Sequence, residues 1–518
     1  MKTFLKTICL FSIFTAVNLN ASTRTNIEPY ESESLFSATS KLDQAVQSGL
    51  KKQGLQSTYI SSDTVFARRL YLDLFGRIPS VKELYAFIDS KKSNKRCLLI
   101  EELLASDEFS VYMTFRWSDI FKIKAEFPIN LWPNAAQAYN KFILDSLIAN
   151  KPYDKIAYEM MTSSGSNFRV GSVNFYRALQ GRGTDITSDA LCSAFLGIDF
   201  TKLEEDKAKN LEKFFTKIAY KATKEWKEEI VYHDFANLEP IETSFIDGKK
   251  VYIKGEDDPR LALAELVIAN EYFAKNFVNR AFGRLMGKYI IQNPDDILNS
   301  KNTNPELLDY LANFFIKNNY DIRKLYAEIL NSNTYQQSSI ALIEKEGLAE
   351  NFAIYTPRQT EAEVLIDIIC DITNTAEVYS SMIPEPYTAM PMYIKSISIP
   401  DGSISTGFLD LFGKSQRDTG KELERKSRPS ASQRMHLLNS THIRNKIESM
   451  AKSFANLTDA NMDKAIRYLY VKILSREETA GELERIKRYK KENKMNNLTL
   501  FTDTIWALMN SEEFINKH

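Results

Sequence analysis

Histidine and cysteine are scarce in this chain of 518 residues, with 4 of each. Neither charge sign is in excess: Lys and Arg number 67, as do Asp and Glu, so the formal net charge is zero. General nucleic-acid binders and anionic-membrane binders carry a basic surplus, so both classes are excluded as partners. No later stretch is long and apolar enough to span a bilayer. Gly-x-Ser-x-Gly, His-Glu-x-x-His, a P-loop and Gly-x-Gly-x-x-Gly are all missing, so none of those catalytic or cofactor signatures is available.

The few cysteines and histidines do not assemble into a site on paper. Cys9 lies in the N-terminal apolar run, which leaves Cys97, Cys192 and Cys370 in the exported chain. That number is odd, the spacing fits no metal motif, and one disulfide is the most they allow. Small buried hydrophobes is the favoured reading for all three. The histidines are His233, His436, His442 and His518. His436 and His442 stand six apart, a poor spacing for one helix face, so no metal site is expected.

What is present is a globular composition, 44% hydrophobic and 26% charged, on a chain long enough for two or three domains. Lys2 and Lys6 precede an apolar core, Ile8 to Val17, and Leu19-Asn20-Ala21 offers a cleavage site. Residues 1–21 therefore read as a signal peptide for export to the periplasm or beyond, with a buried first helix as the other reading. Cys9 lacks the small residue before it that a lipid anchor needs. Residues 22–40 read as a loose segment, 41–240 as an N-terminal helical domain and 241–518 as a C-terminal one.

The fold class expected is mainly α: two helical domains, a short β-hairpin and a long irregular loop. Helices are expected over Leu42–Gln53, from Asp63 as cap to Gly76, over Val81–Ile88 behind a Ser80–Glu83 capping box, and over Lys95–Ala105. Residues 201–230, rich in Lys and Glu, also read as helix. Ser244–Lys254 alternates around Asp247-Gly248, the mark of a hairpin. A second helical block runs from Asp257 to about residue 373. A proline-rich loop at 383–406 then leads to further helices at 408–518.

Leu70–Arg77 (LYLDLFGR), followed by Glu83-Leu84 and by LLASDEF ending at Phe109, resembles Leu469–Arg476 (LYVKILSR), followed by Glu482-Leu483 and by LMNSEEF ending at Phe514. Ala281–Lys288, with Ile329–Tyr335 after it, is a weaker middle version. One helical unit used three times is the expectation, with chance likeness of amphipathic helices as the alternative.

The segments FARRLYLDLFGRIPSVKEL, KRCLLIEELLASDEF, NFYRALQ and FLGIDF resemble the N-terminal domain of a large exported family abundant in planctomycetes. DDPRLALAELVIANEYFAKNFVNRAFGRLMG, Asp295-Asp296 and PELLDYLANFFIKNNYDIRKLYAEILNSNTYQ resemble its C-terminal domain. FGKSQRDTGKELERKSRPSASQRMHLLN, inside Phe408 to Asn439, matches the later part of that domain. The resemblance implies a two-domain, mostly helical exported protein, in a family whose members often sit beside sulfatases and polysaccharide-degrading enzymes. Relatives carry Cys-x-x-Cys-His after FLG and a Cys-x-Cys pair before Glu-Arg. Here the first is IDFTKLEEDKAKNLEKFF, and the second is Lys421 and Leu423 before Glu424-Arg425. Two cysteine clusters lost together suggest one shared site in relatives. The resemblance then implies that haem is absent here, and that Phe408–Asn439 lies against the region after Gly197.

Arg417, Glu424, Arg425 and His436 are the candidate ligand-binding residues, with a buried structural network as the favoured alternative, since buried charges must be paired. Arg69, Asp73, Gly76, Arg280, Asp296 and Asn439 are read as structural, with Arg69–Asp73 forming an i,i+4 helical ion pair. Asp295-Asp296 read as a cap for a following helix, ahead of a cation site. No nucleophile or catalytic residue is identified. The expected role is a binding or scaffold component around polysaccharide breakdown, with a polysaccharide or cell-envelope protein as partner. A carboxylate-dependent glycan hydrolase or lyase is the alternative, and a redox protein comes third.

Overall fold

The computed structural model describes residues 24–425 and 428–518; the expected signal segment lies outside the described residues. The chain opens with β1 (Glu31–Leu35), α1 (Lys41–Gln53), β2 (Tyr59–Ser61), α2 (Asp63–Leu74), α3 (Val81–Ile88), α4 (Lys95–Ala105) and α5 (Asp107–Ile120). Serines start four of these five helices, all but α4, because a hydroxyl can accept an otherwise orphaned N–H of the first turn. Ser40, Ser62, Ser80 and Ser106 accept from Asp43, Val65, Glu83 and Glu108. Ser62, not Asp63, caps α2, because the Asp63 carboxylate is taken by Lys95 and Arg96. Gly76 ends the following turn at φ +61°, where a Cβ would stand 2.6 Å from the Tyr112 ring.

Next come α6 (Pro133–Ile148), α7 (Tyr153–Thr162), β3 (Gly165–Ser166), α8 (Thr184–Leu191), α9 (Glu205–Glu212), β4 (Ile218–Ala222), β5 (Glu229–His233), β6 (Ile241–Ser244) and β7 (Lys250–Ile253). The helix expected over 201–230 stops at Glu212. Beyond it β5 pairs antiparallel with both β3 and β4. Val231 and His233 alternate into the core while Tyr232 stays partly exposed, a period-2 pattern that the surrounding Lys and Glu residues mask. The hairpin at Asp247-Gly248 is β6–β7, turning through Gly248 at φ +86°.

The rest is α10 (Pro259–Ala269), α11 (Glu271–Met286), α12 (Pro305–Lys317), α13 (Ile322–Leu330), α14 (Asn333–Gln336), β8 (Arg358–Gln359), α15 (Ala362–Thr373), α16 (Gly407–Leu411), α17 (Ala431–Asn439), α18 (Thr441–Ala451), α19 (Met462–Leu474), α20 (Ala480–Asn493), α21 (Asn497–Met509), α22 (Glu512–Ile515) and β9 (Asn516–Lys517). The structure is 53% helical, mainly α. The stretch 383–406 is irregular apart from a short 3₁₀ turn at Ser396–Ser398. Among the described residues no helix is long and apolar enough to cross a membrane.

Apolar packing falls into two clusters. The first runs from Leu42 to Tyr355 and takes in Val471 of α19. The second runs from Ala362 to Phe514 and takes in Leu72, Ile78, Tyr112 and Phe115 from α2, the turn after it, and α5. By packing, α10 to α14 therefore belong with the N-terminal helices. β8 pairs with β9, Arg358 opposite Lys517, so the strand entering the second cluster is fastened to the last described residues.

The segments Leu70–Arg77 and Leu469–Arg476 close in the same manner. Gly76 and Ser475 sit at φ 61° and 60°. Arg77 grips Glu83 at 2.9 Å and Glu108 at 2.7 Å, while Arg476 grips Glu482 at 2.9 Å and Glu513 at 2.7 Å. Each guanidinium lies by a tyrosine ring six positions earlier, Tyr71 at 5.0 Å and Tyr470 at 5.4 Å.

Candidate functional site: a buried charge centre and an open aromatic groove

Between the two clusters lies a centre built almost wholly of ion pairs. Helix α5 presents Tyr112, Arg116 and Asp119 at i, i+4 and i+7, one face of a helix. Helix α11 presents Arg280 and Arg284 on successive turns. Arg358 comes from β8, Glu361 and Glu363 from the start of α15, and Arg417, Glu422 and Arg425 from the loop after α16.

The Arg284 guanidinium donates to both Glu422 oxygens, at 2.7 and 2.6 Å. Arg116 donates to Glu361 at 2.7 Å, and Lys517 pairs with the other Glu361 oxygen at 2.9 Å. Arg358 reaches Asp73 at 2.5 Å. Arg425 spans Asp119 at 2.8 Å and Glu363 at 2.6 Å, while Arg417 holds the second Asp119 oxygen at 3.1 Å. A cavity of about 150 Å³ opens among Arg116, Arg284, Arg358, Arg425, Glu361 and Glu422.

Burial by itself would raise the carboxyl pKa values here, but the guanidiniums reverse it. Asp119 is held down to about 2 by Arg425 and Arg417. Glu422 is held down to about 2, chiefly by Arg284. Glu361 lies far below the usual range beside Lys517 and Arg116. These acids are all ionised at neutral pH, and none of them keeps a proton to donate.

The structure brings Arg417 and Arg425 together on Asp119, and only Arg425 lines the cavity. Glu424 accepts from the backbone N–H groups of Asp418 and Thr419 at 3.0 Å each, and so locks its own turn. His436 stands apart from the centre, with its ring edge-on to Phe408 and Phe412. Its ring also lies 5.8 Å from that of His442, because the chain turns at Ser440 between α17 and α18. Linear spacing does not foresee that approach.

The expected Arg69–Asp73 pair does not form. Arg69 is buried, gives its guanidinium to the carbonyls of Tyr335, Gln337 and His518, and lies 3.5 Å from the Tyr355 ring centre. With Arg69 satisfied by carbonyls, Asp73 turns to Arg358 and to the Tyr335 hydroxyl at 2.9 Å. Asp295 and Asp296 cap no helix. Asp296 takes Lys202 at 2.6 Å, and Asp295 accepts the backbone N–H of Glu422 at 2.8 Å and of Leu423 at 3.1 Å. Arg280 pairs with Asp295 and donates to the carbonyls of Ser193 and Ala194. The loop at 421–423 is thereby joined to the turn that ends at Gly197, and the positive charge of Lys421 bears on Asp199. Asn439 is exposed.

Sequence reasoning missed Arg116, Arg284, Arg358, Glu361 and Glu422. Their only local signal is the i,i+4 spacing of Arg280 with Arg284, since the ion-pair partners of the three arginines lie 138 to 306 residues away.

Asn439 lies at the edge of a second feature, an open groove of about 780 Å³ between α17–α18 and α20–α21. Tyr489 and Trp506 line it, 43% and 40% exposed. Their polar ends are fixed: the Tyr489 hydroxyl donates to Asp503 at 2.9 Å, and the Trp506 indole N–H donates to the Leu438 carbonyl at 3.1 Å. Arg444 and Arg485 complete the rim.

Two family models match the chain. One described as PSCyt2, protein of unknown function (DUF1549), matches residues 41–222. One described as PSD1, protein of unknown function (DUF1553), matches residues 259–490. No curated protein and no solved structure matches.

Proposed function

The chain belongs to this two-domain family of unknown function, and we propose that it is an exported binding protein whose open groove takes a saccharide chain. The observation that carries this is the pair of half-exposed rings lining the groove, Tyr489 and Trp506, each with its polar edge tied back. Amphipathic rings anchored in that way offer a flat apolar platform at little entropic cost. Arg444, Arg485 and Asn439 at the rim supply hydrogen-bond partners for hydroxyl groups. The Lys2–Ala21 leader pattern supports export. Lys421 and Leu423, standing where relatives carry cysteines, support a role without haem. The matched closures at Arg77 and Arg476 support one helical unit used more than once.

The hydrolase reading is the weaker of the two. Glycosidic cleavage needs a carboxylic acid that keeps its proton at working pH beside an ionised partner. Glu361, Glu422 and Asp119 are all pulled the other way. Asp367 is pushed up to about 7 by burial, but both of its oxygens accept backbone N–H groups, from Ser396 and Ile397.

A glycan array run beside a reducing-end release assay tests the proposal. Binding without release is expected, with affinity falling at least tenfold in Trp506→Ala and Tyr489→Ala while the unfolding midpoint moves little. Release of reducing ends that a single Asp or Glu substitution abolishes would replace this reading with the hydrolase.

A further inference from the structure

The cavity at the charge centre has a wall that its own carboxylates do not balance. Four guanidiniums line it, those of Arg116, Arg284, Arg358 and Arg425, against two carboxylates, Glu361 and Glu422. Asp73, Asp119 and Glu363, the acids that answer Arg358 and Arg425, do not line it. Glu361 is already shared between Arg116 and Lys517, and Glu422 is occupied by both nitrogens of the Arg284 fork.

Unused donors also remain. The hydroxyl of Thr360, a lining residue only 3% exposed, has no hydrogen-bond partner among the described residues, and neither does Nε of Arg116. A buried donor without a partner is costly, and a ligand supplying acceptor oxygens relieves that cost. Water could satisfy the same hydrogen bonds, but an oxyanion would in addition face the four guanidiniums that line the wall. At about 150 Å³ the space equals roughly five waters at ~30 Å³ each, enough for one compact group and too little for a polymer.

We infer that this cavity binds a small oxyanion group, a carboxylate, sulfate or phosphate, either as a free ion or carried on a sugar. Planar guanidiniums match such oxygens in paired hydrogen bonds, which a halide cannot exploit. The inference stands apart from the groove, since the two sites share no lining residue.

The test uses the full exported chain, with sodium sulfate and sodium glucuronate as separate probes and sodium chloride as reference. All three are kept at low millimolar concentration and matched ionic strength, below the range where sulfate stabilises proteins by exclusion. Thermal unfolding and calorimetric titration are the readouts. A saturable upward shift with sulfate or glucuronate, and none with chloride, is expected. A response to sulfate alone identifies a free ion, and a response to glucuronate alone identifies a sugar-borne group. Thr360→Val removes a hydroxyl that has no partner among the described residues, so it should keep or raise the unliganded midpoint and weaken binding about fivefold, the worth of one hydrogen bond. Arg116→Gln should abolish the response. The inference is overturned if no probe gives a saturable shift, which would make the centre a clamp and nothing more. It is equally overturned if Thr360→Val binds as the wild type does and Arg116→Gln keeps the full shift, which would place the ion elsewhere.

Discussion

Asp73→Asn separates two accounts of the same residue. As a member of an i,i+4 pair with Arg69 on a helix surface, Asp73 would be worth ~0.3–0.5 kcal/mol. The structure instead buries its side chain to 1% exposure and sets it 2.5 Å from Arg358, with Lys517 at 3.6 Å. Removing one partner of a buried pair costs about 3–5 kcal/mol, because the other charge is left without compensation. Arg358 is 17% exposed and keeps the Tyr355 hydroxyl and the Arg284 carbonyl. The lower end, about 3 kcal/mol, therefore applies. At about 1.4 kcal/mol per decade, that is on the order of a hundredfold in the folding equilibrium. Denaturant titration followed by tryptophan fluorescence measures it, since Trp117 sits in the first core. Asp73→Asn with Arg358→Met should lose at least about 1 kcal/mol less than the two single losses added together, because the orphaned cation is gone. A loss below about 1 kcal/mol for Asp73→Asn, in the range of exposed pairs, would refute the buried-anchor account.

Three further outcomes follow from the same geometry. Asp119 and Glu422 have native pKa values of about 2, below those of the unfolded chain. The unfolded chain binds protons first, so their stabilisation is complete above about pH 4.5 and is lost as pH falls toward 2; a melting profile in acid should drop steeply there, and a flat one would contradict the pairing. All three cysteines of the described chain are free: Cys97 and Cys370 are partly exposed, and Cys192 is buried with its thiol pushed well up. A thiol reagent should count two in the native protein and the third only after denaturation, with no change in melting on adding reductant. Gly171→Ala would place a Cβ 2.3 Å from the Ala138 carbonyl oxygen and should cost about 3 kcal/mol, whereas Gly481→Ala meets nothing within 4 Å and should gain up to about 1 kcal/mol; calorimetry of the two variants reads both.

Helix ends were legible because their chemistry is local. A Ser80 hydroxyl and a Glu83 carboxylate three residues on satisfy each other's backbone N–H groups wherever the helix later packs. Partnership was not legible, because it is set by topology. Nothing near Arg116 in the chain points to Glu361, 245 residues away, and nothing near Asp73 points to Arg358. Residues 218–233 show the same limit: their strands form because β5 finds β3 and β4, while the local composition speaks for helix. The loop at 421–425 shows what a motif can and cannot tell. Glu424 and Arg425 stand out in the sequence by their charge, yet the loop is fastened to the body through the backbone N–H groups of Glu422 and Leu423 on Asp295. Lys421 and Leu423 are exposed, and their side chains carry none of that attachment, although Leu423 borders the cavity. Between them Glu422 closes the charge centre: its side chain is 1% exposed and pairs with Arg284.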